Sequence, residues 1–185
     1  ASTNTIPANN VTADNGVFNA SPASSSLSKL GSSTVNVTKS FSPASLTSVG
    51  QASRLQITID NSVGGAVALS NLALTDNLPS GMAVAAVPTP STTCTGGVVT
   101  AVPSGTTLAL SGATLAAGAT CVYEANVTLV GAGTFNNTIP AGAVNNAQGV
   151  TNTNPFTANL QALASLGVAK SFSPTAVTPG SAARL

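Results

Sequence analysis

The chain has 185 residues, of which only 5% are charged, with a formal net charge of +1 and no histidine. Such a chain has no electrostatic footprint for nucleic acid or an anionic membrane, and its four acidic residues leave no triad, no clustered carboxylate pair and no four-ligand metal set. A hydrophobic fraction of 43%, rich in Val, Leu and Ile, sets it apart from disordered polar sequences, and no apolar run approaches the roughly 20 residues that a membrane helix needs.

In chain order, residues 1 to 30 carry Ile6-Pro7, the turn-like Asp14-Asn15-Gly16 and a Ser/Pro-rich run, and predict one or two strands. Val35, Val37, Lys39 and Phe41 occupy alternate positions of a strand that stops at Pro43, with Lys39 the odd member of an apolar face. Leu55, Ile57 and Ile59 alternate with Gln56, Thr58 and Asp60 in a half-buried strand. Val67 and Leu69 open the next, where a change of parity after Asn71 to Leu72 and Leu74 predicts a bulge or a bend between sheets. Short strands follow at 82–87 and 97–102, then Leu108 and Leu110 alternate. Cys121, Tyr123, Ala125, Val127 and Leu129 share one face of the longest strand, with Glu124, Asn126 and Thr128 on the other. Phe135, Asn137 and Ile139 form the next strand, and Phe156, Ala158 and Leu160 the last. About eight to ten short strands separated by Gly, Pro and Asn turns, with no sustained helical period, predict an all-β, immunoglobulin-like antiparallel β-sandwich.

The sequence also repeats itself. Lys39-Ser40-Phe41-Ser42-Pro43 returns as Lys170-Ser171-Phe172-Ser173-Pro174, and Asn4-Thr5-Ile6-Pro7-Ala8 returns, at nearly the same offset, as Asn137-Thr138-Ile139-Pro140-Ala141. A fixed period of that size marks a tandem array of whole domains. It predicts the closing strands of a preceding repeat plus a linker at 1–34, a complete sandwich at 35–165, and the first strand of a following repeat at 166–185. Beginning inside a repeat and lacking an initiator Met, the sequence reads as an excerpt of something longer or as a processed subunit.

The succession of Lys39-Ser40-Phe41-Ser42-Pro43, Leu74-Thr75-Asp76-Asn77-Leu78-Pro79-Ser80-Gly81, Cys94 with Gly96-Gly97, Leu110-Ser111-Gly112, Ala117-Gly118-Ala119-Thr120-Cys121 and Asn136-Asn137-Thr138-Ile139-Pro140 resembles the bacterial "conserved repeat domain" surface proteins. These are the domain-of-unknown-function-eleven group and its relatives. The resemblance spans the whole repeat, and its signature positions here are Lys39, Phe41, Pro43, Asp76, Pro79 and Gly81, with Lys170, Phe172 and Pro174 in the next copy. It implies immunoglobulin-like domains in tandem within very large secreted or wall-attached proteins, an architectural role, and no catalytic residues.

Cys94 and Cys121 are the only cysteines, both inside the complete unit, and are expected to form a disulfide; the competing reading is two free thiols in a cytosolic protein. A lysine on an apolar face needs a reason. One is an intramolecular isopeptide bond from Lys39 to an Asn or Asp on a neighbouring strand, promoted by a buried carboxylate such as Glu124, as in some bacterial surface immunoglobulin-like domains. The plainer one is a lysine snorkelling to solvent or paired with Asp60, Asp76 or Glu124. Lys170 stands in the same relation to Leu166, Val168 and Phe172. Asp60-Asn61-Ser62, Asp76-Asn77 and Asp14-Asn15-Gly16 each offer a single carboxylate, too little for calcium, and read as Asx turns. The absence of Trp and an inward Tyr123 give sugar stacking no platform. Asn-x-Ser/Thr sites at Asn10, Asn19, Asn36, Asn126 and Asn136 read as chance in an Asn- and Thr-rich chain.

The expected function is structural: an extracellular or cell-surface repeat unit of a fibre or stalk. Its partners are neighbouring copies, joined covalently in tandem or by strand donation, with the covalent array preferred because 162–167 runs unbroken into the next Lys-Ser-Phe-Ser-Pro. The alternative class is an adhesin module binding a host or surface ligand through its loops, foremost the Thr/Gly-rich stretch 88–97. No enzyme activity, cofactor, metal, nucleic acid or membrane insertion is expected.

Overall fold

The computed structural model describes residues 2–27, 33–63, 65–164, 169–173 and 175–182, and among them it contains strands but no helix. The strands are β1 (Ser2–Ile6), β2 (Ala23–Leu27), β3 (Asn36–Ser42), β4 (Ser45–Leu46), β5 (Ala52–Asp60), β6 (Leu69–Asn77), β7 (Met82–Val84), β8 (Ser91–Thr92), β9 (Val98–Thr100), β10 (Thr107–Leu115), β11 (Thr120–Leu129), β12 (Gly133–Ile139) and β13 (Phe156–Ala162).

Period-two alternation puts every second side chain of these strands on one face, and two such faces close on each other. One layer has the order β3-β5-β11-β7, with β8 also pairing β11; the other is built from β6-β10-β9 and β12-β13-β4, with β12 packed beside β6. β5 and β11 form the spine of the first layer, antiparallel from Thr120↔Asp60 to Thr128↔Ala52. The chain changes layer at Pro43: β3 pairs β5 in the first, whereas β4 runs parallel to β13 in the second. This is an immunoglobulin-like antiparallel β-sandwich. Its core is aliphatic, with Leu55, Ile57, Ile59, Leu72, Leu108 and Val127 fully buried, each such side chain stabilising the fold by roughly 1.5–3 kcal/mol.

Local deviations have local causes. The strand read from Val67 begins only at Leu69, and the parity change sits at Asn71, whose φ of 51° opens a bulge. Across from it, β10 shifts register between Leu110 and Ala113, where Gly112 has φ 68°, so the two irregularities accommodate each other. β7 and β9 are shorter than the runs 82–87 and 97–102; Ala85 N–H still reaches Asn126 O, in line with the Val84↔Val127 pair, and the second run ends in a turn in which Gly105 N–H donates to Val102 O at 2.8 Å.

Residues 2–27 fold as a smaller copy of a piece of the sandwich. In β1–β2, Ile6 opposes Ala23 and Ser2 opposes Leu27; in β12–β13, Ile139 opposes Phe156 and Phe135 opposes Leu160, so each pair lies one repeat period from its counterpart. The connecting loops match as well. Asn19 accepts from Val11 N–H and donates to the carbonyls of Pro7 and Ser21, while Asn152 accepts from Val144 N–H and donates to those of Pro140 and Asn154. The difference is in burial. Ile139, Val144 and Val150 are 0%, 2% and 6% exposed, whereas Ile6, Val11 and Val17 at the equivalent places are 45%, 55% and 62% exposed.

Candidate functional site

Among the described residues, inward positions on three strands place an amine, a carboxylate and an amide within the aliphatic core. Lys39 lies between Val37 and Phe41 on β3, Asp76 continues the inner face of β6 after Leu72 and Leu74, and Asn137 lies between Phe135 and Ile139 on β12. Register sets their positions: Lys39 faces Ile57 across its ladder, Asp76 faces Leu108, and Asn137 faces Ala158. The three side chains converge between the layers. Lys39 Nζ donates to Asp76 Oδ1 at 2.8 Å, and Asn137 Nδ2 donates to Asp76 Oδ2 at 2.7 Å. A single carboxylate therefore holds an amine from the opposite layer on one oxygen and an amide from the neighbouring strand on the other. The side chains of Lys39 and Asp76 are fully removed from solvent, and Asn137 is buried.

Charge in such a place is costly. Burial holds the Lys39 ammonium below the usual lysine value, and the attraction of Asp76 and its hydrogen bond offset this only in part. Tyr123, also fully buried, donates its hydroxyl to Leu74 O at 3.4 Å; burial pushes its phenol well above the usual value, and the Asp76 charge adds to the effect. Asn137 Oδ1 is buried without a hydrogen-bond partner.

Glu124, one of three candidate carboxylates for Lys39 and the one suggested to promote an isopeptide bond, is elsewhere. Tyr123 and Ala125 point inward on β11, so Glu124 points outward, where it accepts from Arg54 Nη2 at 2.7 Å, Ser91 Oγ at 2.8 Å and Gln56 Nε2 at 3.2 Å. These donors, Arg54 first, hold its carboxyl down to about 2. The carboxylate at Lys39 is Asp76, which also corrects the Asx-turn reading at that position: β6 continues to Asn77, so Asp76 is a strand residue. Asp60 does make the turn, accepting from Ser62 N–H at 2.9 Å. Among the described residues no group of three His, Cys, Asp or Glu is placed to hold a metal ion.

Cys94 and Cys121 are joined by a disulfide with their Cα atoms 4.9 Å apart, and it fastens the stretch 88–97 to β11. Thr92 Oγ1 donates to Val122 O, Val122 N–H donates to Thr93 Oγ1, and Arg54 Nη1 donates to Thr89 O, so this loop is tied along its length. Of the remaining signature positions, Phe41 is buried, Pro43 O accepts from Ser53 Oγ at 2.7 Å, and Pro79 O accepts from Met82 N–H at 2.9 Å. Gly81, with φ 92°, lies directly under the Phe135 ring. Lys170 and Phe172 are exposed, with Nζ 5.4 Å from the ring centroid. Leu166, Val168 and Pro174 fall outside the described residues.

Three asparagines that composition alone does not single out matter most. Besides Asn137 and Asn152, the buried Asn61 donates to Val67 O and Ala116 O. For Asn137 the signal was present: a polar residue at an inward parity, inside a motif that recurs at Asn4.

A family model described as "Domain of unknown function (DUF7933)" matches residues 35–162. No curated protein matches the chain. Similar solved structures include the major pilin subunit of Bacillus cereus, at 12% identity and TM-score 0.48 over 72% of this chain and 41% of that one. The N-terminal domain of a Streptococcus gordonii adhesin is 12% identical with TM-score 0.46, over 70% and 32%. The collagen adhesin from S. aureus is 12% identical with TM-score 0.43, over 79% and 54%. The chain thus spans less than half the length of the first of these.

Proposed function

We propose that this chain, which belongs to the DUF7933 family, serves as a structural repeat of an extracellular fibre or cell-surface stalk, its sandwich units following one another in line within one polypeptide. Kinship with the bacterial "conserved repeat domain" surface proteins is part of this proposal, as is the division at 1–34, 35–165 and 166–185. The observation that carries it is the hairpin at 2–27. It reproduces the pairing and the asparagine hub of 135–160, yet its Ile6, Val11 and Val17 face solvent where Ile139, Val144 and Val150 are buried. A preceding copy of the other strands is the surface those side chains fit.

The strand directions support an in-line arrangement. Thr34 bridges Thr151 in parallel near the start of the sandwich, and Leu46 pairs with Ala162 in parallel near its finish, so the chain enters at one pole and leaves at the other. The 46 − 34 = 12 steps from Thr34 to Leu46, at about 3.3 Å each, span about 40 Å, the length that each unit adds. The disulfide supports an oxidising compartment, and among the described residues no helix is long and apolar enough to cross a membrane.

Small-angle scattering on chains with one, two and three complete units tests the reading. The maximum dimension is expected to rise by about 40 Å per unit; a dimension that stays constant as units are added refutes it. Electron microscopy of the 185-residue chain at rising concentration separates the two modes of joining. Dispersed particles fit the covalent array, and filaments with a regular axial repeat fit strand donation instead.

A further inference from the structure

The geometry points to an intramolecular isopeptide bond between Lys39 Nζ and Asn137 Cγ, formed by the protein itself with Asp76 as the proton carrier and ammonia as the leaving group. All three groups are already assembled. The amine and the amide sit on the two oxygens of one carboxylate, at 2.8 Å and 2.7 Å, in a core that excludes water. A buried Lys–Asp pair does not account for itself by stability, since apolar residues of similar volume commonly serve as well or better. Nor is the network complete as a hydrogen-bonding arrangement, because Asn137 Oδ1 has no partner. That oxygen is where negative charge gathers when a nucleophile adds to the amide carbon.

The steps balance. Lys39 passes one proton to Asp76, a transfer that burial favours because it replaces two buried ions with two neutral groups. The free amine adds to Asn137 Cγ, breaking the carbonyl π bond, and Asp76 delivers its proton to Oδ1 once the amide has rotated to present that atom. Asp76 then takes a proton from the attacking nitrogen and returns it to the amide nitrogen. As the carbonyl re-forms, the Oδ1 proton goes back to Asp76, the Cγ–Nδ2 bond breaks and ammonia leaves. Of the five hydrogens initially on the ammonium and the amide, one stays on the new amide, three leave with ammonia and one remains on Asp76. No oxidant, reductant or cofactor enters. Tyr123 and the aliphatic residues around the carboxylate keep the medium apolar, which favours the neutral amine over the ammonium. The partial copies carry the same residue types at the matching places, Asn4 in the first and Lys170 in the last.

The test is the intact mass of the reduced 185-residue chain, with its tryptic map. The mass is expected to fall short of the calculated value by one ammonia. Cleavage after Lys39 is expected to be absent, with residues 30–54 recovered joined to 55–170. Asp76→Ala and Asn137→Ala chains should return to full mass with cleavage restored, whereas Glu124→Gln should keep the deficit. A wild-type chain at full calculated mass overturns the proposal, however the variants behave. So does a deficit of one water, which would place the bond on Asp76, or a deficit that persists in Asn137→Ala.

Discussion

Asn19 and Asn152, one repeat period apart, hold their hairpins with three matching hydrogen bonds, but only Asn152 does so beneath a packed core. Its side chain satisfies two backbone N–H groups, Ala143 and Val144, and two carbonyls, Pro140 and Asn154. Asn152→Ala strands these groups in the loop that closes β12 to β13, and is expected to cost about 2–3 kcal/mol. Asn19→Ala is expected to leave the main unfolding transition where it was. Urea denaturation of the two variants side by side reads the difference.

Reduction of Cys94–Cys121 frees a loop of sequence separation 27 and is expected to lower stability by about 3–4 kcal/mol. Chemical denaturation with and without reductant measures it, and a Cys94→Ala/Cys121→Ala chain should reproduce the reduced value without reductant.

Glu124 sets an acid limb. Its carboxyl is held at about 2 in the folded chain, against an ordinary value of 4.5. A depressed acid contributes stability that is fully present above the unfolded value and is lost as pH falls from about 4.5 towards about 2. The side chain is 25% exposed, so solvent limits the contribution to about 1 kcal/mol or less. Glu124→Gln is expected to flatten that part of the stability profile in urea titrations across the window.

Gly81 combines a left-handed φ of 92° with the Phe135 ring lying against it. Gly81→Ala therefore meets both backbone strain and a clash, and is expected to cost more than about 1 kcal/mol. Gly131, with open space around it and an ordinary φ, is the control: Gly131→Ala should shift the thermal midpoint little.

The fold was legible because alternation is a strong signal when one face of each strand is buried. Leu55, Ile57 and Ile59, and Cys121 through Leu129, read directly as the inner faces they are. Lys39 and Asn137 were legible in parity, and Asp76 only as one of three carboxylates that Lys39 could meet. Lys39, Asp76 and Asn137 each occupy an inward position of their own strand, which a period of two exposes one strand at a time. Which of them meet depends on how β3 packs over β6 and β12 across the sandwich, and local sequence carries no record of that. Glu124 is misplaced beside Lys39 for the same reason, although its outward parity on β11 already argues against it. Asp76 followed by Asn77 imitates a turn, and only the length of β6 shows otherwise.

The parallel course of β4 and β13, with β3 alongside, decides how the sandwich meets tension. A pull applied where the chain enters and where it leaves draws the first and last strands past each other along their length. The bonds between them are then loaded together in shear, not peeled apart one after another as in a hairpin opened from its ends. A domain loaded this way resists stretching until those bonds fail together, so sandwiches joined in line, as proposed above, would hold their length under drag.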